Sequence, residues 1–131
     1  MPANQSLGSI ATQSLDRIQD PPSTVSNGSV QSYIEFAMED IKNWFGESSI
    51  STTAVPVKYQ NILVNLGAAY VMGRKLGVGV DFDFSLGEFR ASRGAATNSP
   101  DAQQLRFFIE QINMGMKGAH RDVKITKVYG V

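Results

Sequence analysis

The chain is predicted to be mainly α: a small helical domain of three principal helices, with a long loop and short β segment between the last two and extended arms at both ends. Three observations support this. Apolar residues recur at three- and four-residue steps in residues 29–45, 56–76 and 99–117, each stretch closed by helix-stop chemistry. The period shifts to two only once within the body of the chain, around Val78 to Phe84. A 131-residue chain with a 42% hydrophobic fraction is one domain, long enough to bury roughly two-thirds of its unfolded surface. The expected division is a polar N-terminal arm at 1–28, a helical core at 29–118 and an extended C-terminal tail at 119–131.

Residues 1–28 are rich in Ser, Asn, Gln and Thr, yet Leu7, Ile10, Ala11, Leu15 and Ile18 keep helical spacing before Asp20-Pro21-Pro22 ends any helix. Isolated helices shorter than about 12 to 15 residues rarely persist, so this arm is either disordered or docked on something. A polar linker, Ser23 to Gly28, follows. The first principal helix then runs from Ser29 to Phe45, with Val30, Ile34, Ala37, Met38 and Ile41 on one face and Gly46 as its stop. Trp44 and Phe45 read as core anchors rather than as a ligand platform.

The second principal helix, Pro56 to Leu76, is the longest apolar segment with clear ends. Pro56 suits the first turn, Arg74-Lys75 complement the dipole, and Gly77 suits a left-handed cap. Its apolar positions form one broad face. Gly67 and Gly73 each cost about 1 kcal/mol relative to Ala in a helix interior. They either mark the close approach of another backbone or are simply tolerated.

Val78, Val80, Phe82 and Phe84 alternate with Gly79, Asp81 and Asp83, which predicts a short strand with one apolar edge. Asp81 and Asp83 lack a neighbouring His or third carboxylate and read as a solvated face. The VGVG passage matches neither the P-loop nor the GxGxxG pattern, so it is assigned no phosphate site. Residues 85–99 read as a long loop carrying Arg90 and Arg93, and loops of that length commonly bind something. The third principal helix opens at Ser99-Pro100-Asp101 and ends at Gly118. Beyond it, Val123, Ile125 and Tyr129 alternate in a basic tail expected to act as a strand seeking a partner edge.

Chemistry-bearing groups are few. The absence of Cys removes disulfides, thiolate metal sites and a thiol nucleophile, and the single His120 has no companion nucleophile or ligand set. No catalytic triad, dyad or metal cluster is evident, so neither an enzyme nor a cofactor is expected. No secretory signal or membrane span is expected either. Formal net charge is zero but polarised: residues 1–50 hold six carboxylates against two cations, a net of −4, and residues 51–131 hold ten cations against six carboxylates, a net of +4. Such polarity suits head-to-tail packing between subunits, and it also describes an ordinary solvated surface.

The run SYIEFAMEDIKNWFG, then VPVKYQNILVNLGAAYVMGRKLG, FSLGEFRASRG, a helix opened by SPDAQQL and finally KVYG resembles the head-tail connector (adaptor) proteins of long-tailed phages. The resemblance spans Ser32 to Gly130. It implies a virion protein made in the host cytoplasm and built into the neck as a homo-oligomeric ring, usually dodecameric, below the portal. Such a ring extends the DNA channel and docks the next neck or tail protein, with no enzymatic activity, cofactor or membrane. It further implies that the helices, with Gly67 and Gly73, provide subunit packing. Phe84, Leu86, Phe89, Arg90 and Arg93 would meet neighbouring subunits or the next neck protein. Arg121, Val123, Lys124, Ile125, Lys127 and Tyr129 would reach the portal. The alternative is a small non-enzymatic nucleic-acid-binding protein or another assembly module; zero net charge and the lack of basic-aromatic interleaving weigh against nucleic acid.

Overall fold

Serine side chains start three of the four described helices and left-handed glycines end two of them. A computed structural model describes residues 6–18, 25–46, 55, 57–83, 86–91 and 99–128, with side chains described for all but 57–58 and 119–128. Its elements in order are α1 (Leu7–Asp16), α2 (Asn27–Phe45), α3 (Val57–Leu76), β1 (Val80–Asp83), β2 (Glu88–Ala91) and α4 (Pro100–Val128). The protein is mainly helical, with one two-stranded antiparallel sheet.

The Ser6 and Ser26 side chains accept the Ser9 and Ser29 amides at 3.3 and 3.1 Å, opening α1 and α2. α2 therefore begins at Asn27, inside the stretch expected to be linker. Gly46 and Gly77 take φ values of 69° and 72°, the left-handed conformation that only glycine adopts without a steric penalty. At the end of α3 the Val78 amide returns to the Gly73 carbonyl at 2.8 Å, satisfying an otherwise orphaned acceptor. Ser99 accepts the Ala102 amide at 3.2 Å, with Pro100 in the first turn of α4 and Asp101 beside the positive end of the dipole.

α3 is the organising element, and it is buried on nearly every side rather than on one broad face. Every residue from Ile62 to Ala69 is buried, Asn65 included, as are Val71 to Gly73. A helix apolar all round has to be enclosed, and α1, α2 and α4 all pack on it. Leu105, Phe108, Ile112 and Met116 supply the contribution of α4, and Val30, Ile34, Ala37, Met38 and Ile41 that of α2.

Two expectations about the chain ends are corrected. The N-terminal segment is part of the core: Leu7, Ile10, Ala11 and Ile18 are buried in the same cluster as α3. Each large apolar side chain so buried contributes about 1.5 to 3 kcal/mol, which offsets the ordering cost that a lone ten-residue helix cannot meet. At the other end Gly118 does not stop α4, and the backbone stays helical to Val128. Gly118 is not among the positive-φ glycines, so it acts as an interior helix residue. Its cost of about 1 kcal/mol is too small to end a helix flanked by Met116, Lys117, Ala119 and Arg121. On a helix Val123 and Ile125 lie roughly 200° apart, so the alternating edge expected of a strand does not exist.

Candidate functional site

Gly67 and Gly73 each face a close neighbour. A β-carbon on residue 67 would collide with the Ser14 hydroxyl and lie 2.6 Å from its Cβ and 3.0 Å from Val30 Cγ1. Here α1 crosses α3 with almost no side chain between them. Ser14 uses the closeness: its hydroxyl is 3.0 Å from the Ile10 carbonyl and 2.9 Å from that of Val64. Arg17 extends the contact, donating to Asn65 Oδ1 at 2.7 Å and to Asn61 Oδ1 at 3.1 Å. At Gly73 the neighbour is the chain itself, since a β-carbon would strike the Val78 carbonyl oxygen where the backbone folds back over the helix end.

The region expected to be a binding loop is largely a packed hairpin. β1 and β2 pair in the register Val80↔Ala91, Asp81↔Arg90, Phe82↔Phe89 and Asp83↔Glu88. Gly87, at φ 68°, lets the turn close, and its amide returns to the Asp83 carbonyl at 2.8 Å. Its missing β-carbon also makes room for the Trp44 indole, whose Cε2 would lie 2.9 Å away. Phe89 is therefore no loop contact: it is buried and packs at a tilt of 51° against Phe82 with centroids 4.8 Å apart, while Trp44 meets Phe82 edge-on at 5.8 Å. Arg90 lies on β2 and reaches Asp83 at 3.6 Å. Of the predicted loop set, Leu86 alone is shown as an exposed apolar residue at the turn. Phe84 and Arg93 lie outside the described residues.

The hairpin is held from both sides. The Tyr33 hydroxyl on α2 donates to the Val80 carbonyl at 2.9 Å, and its ring stacks on Tyr70 at 4.6 Å. On the other side Asn113 of α4 accepts the Phe89 amide at 2.8 Å and donates to the Phe89 carbonyl at 3.1 Å. This side-chain amide takes the place of a third strand at Phe89, so part of the β2 edge is covered. Lys117 adds an ion pair to Glu88 at 3.8 Å. Sequence reasoning missed Asn113, whose one local signal is a polar residue between the buried Ile112 and Met116.

Electrostatic perturbation concentrates near this junction. Burial, reinforced by Asp81 and Asp40, pushes the Tyr33 phenol well above the ordinary tyrosine range. The Asp40 carboxyl is raised by partial burial first and then by Asp81 and Glu39. The carboxylates gathered here, Asp40, Asp81 and Glu39, repel one another. Among the described residues no three His, Cys, Asp or Glu side chains could hold a metal ion, and no buried side-chain polar atom lacks a hydrogen-bond partner. A cavity of about 370 Å³ lies beside the end of α3, lined among the described residues by Tyr70, Gly73, Arg74, Gly77, Val78 and Gly79. No described helix is long and apolar enough to cross a membrane.

The predicted tail residues Arg121, Val123, Lys124, Ile125 and Lys127 all fall on the α4 backbone, and Tyr129 lies beyond the described residues. His120 is on the same helix. Among the described residues, the exposed large apolar side chains are Phe36 on α2, Leu86 at the turn, and Phe107 and Met114 on α4. No protein-family model, curated protein or solved structure matches the chain.

Proposed function

We propose that the chain is a structural assembly protein, a head-tail connector that forms a ring below a phage portal, extends the DNA channel and docks the next neck or tail protein. The observation that carries this reading is the length and charge of α4. At 29 residues it outruns the 20-residue α3 by about 13 Å at 1.5 Å per residue. Its part beyond Met116 bears Lys117, Arg121, Lys124 and Lys127 against Asp122 alone. A basic helical end suits an acidic protein surface, and also the phosphates of passing DNA without sequence preference. The portal-directed element is accordingly a helix rather than a strand.

A small nucleic-acid-binding module would share that basic end, and a salt-dependent gel shift of the monomer is the result that favours it. Negative-stain electron microscopy of the purified chain separates the readings. Ring-shaped particles with a central hole are expected of a connector. Monomer-sized particles at every concentration overturn it.

A further inference from the structure

The exposed apolar residues of α2 and α4 carry different charges around them. Phe36 is 76% exposed on α2, between Glu35 and Glu39, and Asp40 lies one turn further along. α2 as a whole holds three carboxylates against Lys42. On α4, Phe107 and Met114 are 54% and 59% exposed and seven residues apart, so they share one face. Arg106 and Lys117 flank them, with Glu110 between. α4 as a whole holds five cations against three carboxylates. Both helices pack on α3, and a single copy uses neither exposed patch in its core.

Resting on the connector reading, we propose that these two faces are the two halves of one contact between copies: the Phe36 face of α2 in one copy docks on the Phe107–Met114 face of α4 in the next. Charge complementarity selects a second copy of this chain as the occupant, because the acidic surround of Phe36 matches Arg106 and Lys117 at the two ends of the α4 patch. Phe and Met are residue types enriched in the desolvated centre of interfaces. Two different patches on one chain make a heterologous contact, which generates a ring when the rotation closes. An α4-on-α4 contact would instead be isologous, stop at a dimer and set like charges against each other.

Two variants test this together with the unaltered chain, by native mass spectrometry. F36D blocks the α2 face, and F107D/M114D blocks the α4 face. All three sites are exposed, so melting temperatures should stay within a few degrees of the unaltered chain. Each variant alone should be monomeric. Mixed in equal amounts they should form a 1:1 dimer and nothing larger, because one good α2 face meets one good α4 face and the two remaining faces are both acidic. If the unaltered chain assembles and either variant still assembles alone, or the mixture stays monomeric, the assignment of faces is overturned while the ring stands. A dimer that survives F36D but not F107D/M114D also overturns it, by showing an isologous α4 contact. If the unaltered chain is monomeric throughout, the ring reading fails and this contact with it.

Discussion

Ser14 of α1 lies directly over Gly67 of α3, its hydroxyl bonded to the Val64 carbonyl at 2.9 Å and its Cβ 2.6 Å from where a β-carbon at position 67 would stand. The contact involves buried helix, so neither side can move aside cheaply. Gly67→Ala should cost about 1 to 3 kcal/mol through overpacking, even though Ala is the better helix former. Ser14→Gly in the same chain should recover part of that loss. A thermal-denaturation double-mutant cycle checks it, and additive losses would show that the two residues do not meet as described.

The N-terminal segment, expected as an arm outside the core, should be needed for folding. Ile10 is fully buried, and Ile10→Ala should cost about 2 to 4 kcal/mol. Arg17→Ala should cost about 1 to 3 kcal/mol, because it leaves the buried Asn65 carbonyl oxygen without the guanidinium donor. Removing residues 1–18 should uncover Val30 and the Gly67 surface, giving a chain that melts far lower or aggregates. Circular dichroism and light scattering of the truncated chain measure this, and an intact, monodisperse helical core would contradict it.

Asn113 should be replaceable by nothing smaller or charged. Asn113→Ala removes both bonds to Phe89 and should cost about 1 to 3 kcal/mol. Asn113→Asp keeps an acceptor for the Phe89 amide but sets a carboxylate against the Phe89 carbonyl. Amide exchange at Phe89 should therefore accelerate strongly in the Ala variant and less in the Asp variant.

Asp40 carries a pH signature. Its folded-state pKa is raised, so the folded chain holds this proton more tightly than the unfolded one. Stability should then fall as pH rises from the ordinary carboxylate value, about 4, through the raised value, and the penalty should be complete above it. Asp40→Asn should raise Tm slightly at pH 7, by less than about 0.5 kcal/mol equivalent given solvent screening, and leave it unchanged near pH 3. A Tm difference that grows toward low pH would reverse the sign and refute the cause.

Local signals were legible in the sequence and tertiary ones were not. Gly46, Gly77 and Ser99-Pro100 act within one turn of their own helix, so composition alone located those boundaries to within a residue or two. The fate of α1 depended instead on a partner 53 residues away, the gap at Gly67, and no ten-residue helix announces such a partner. The hairpin was half visible: β1 alternates, but the four residues of β2 are too few to establish a period, and Leu86-Gly87 read as loop rather than as turn. Gly118 misled because glycine ends a helix only where the backbone takes the left-handed conformation. Among the predicted contact residues, Gly67 and Gly73 were marked by their helical cost, whereas Phe89 and Arg90 were misplaced with the loop that carried them.

A connector ring requires that this chain assemble with copies of itself. Sedimentation velocity of the unaltered chain, followed over a hundredfold range of concentration, tests it most directly. A monomer boundary should give way to one discrete larger species of fixed mass, with that equilibrium weakened by salt because acidic and basic faces meet. A single monomer boundary across the whole range would contradict it.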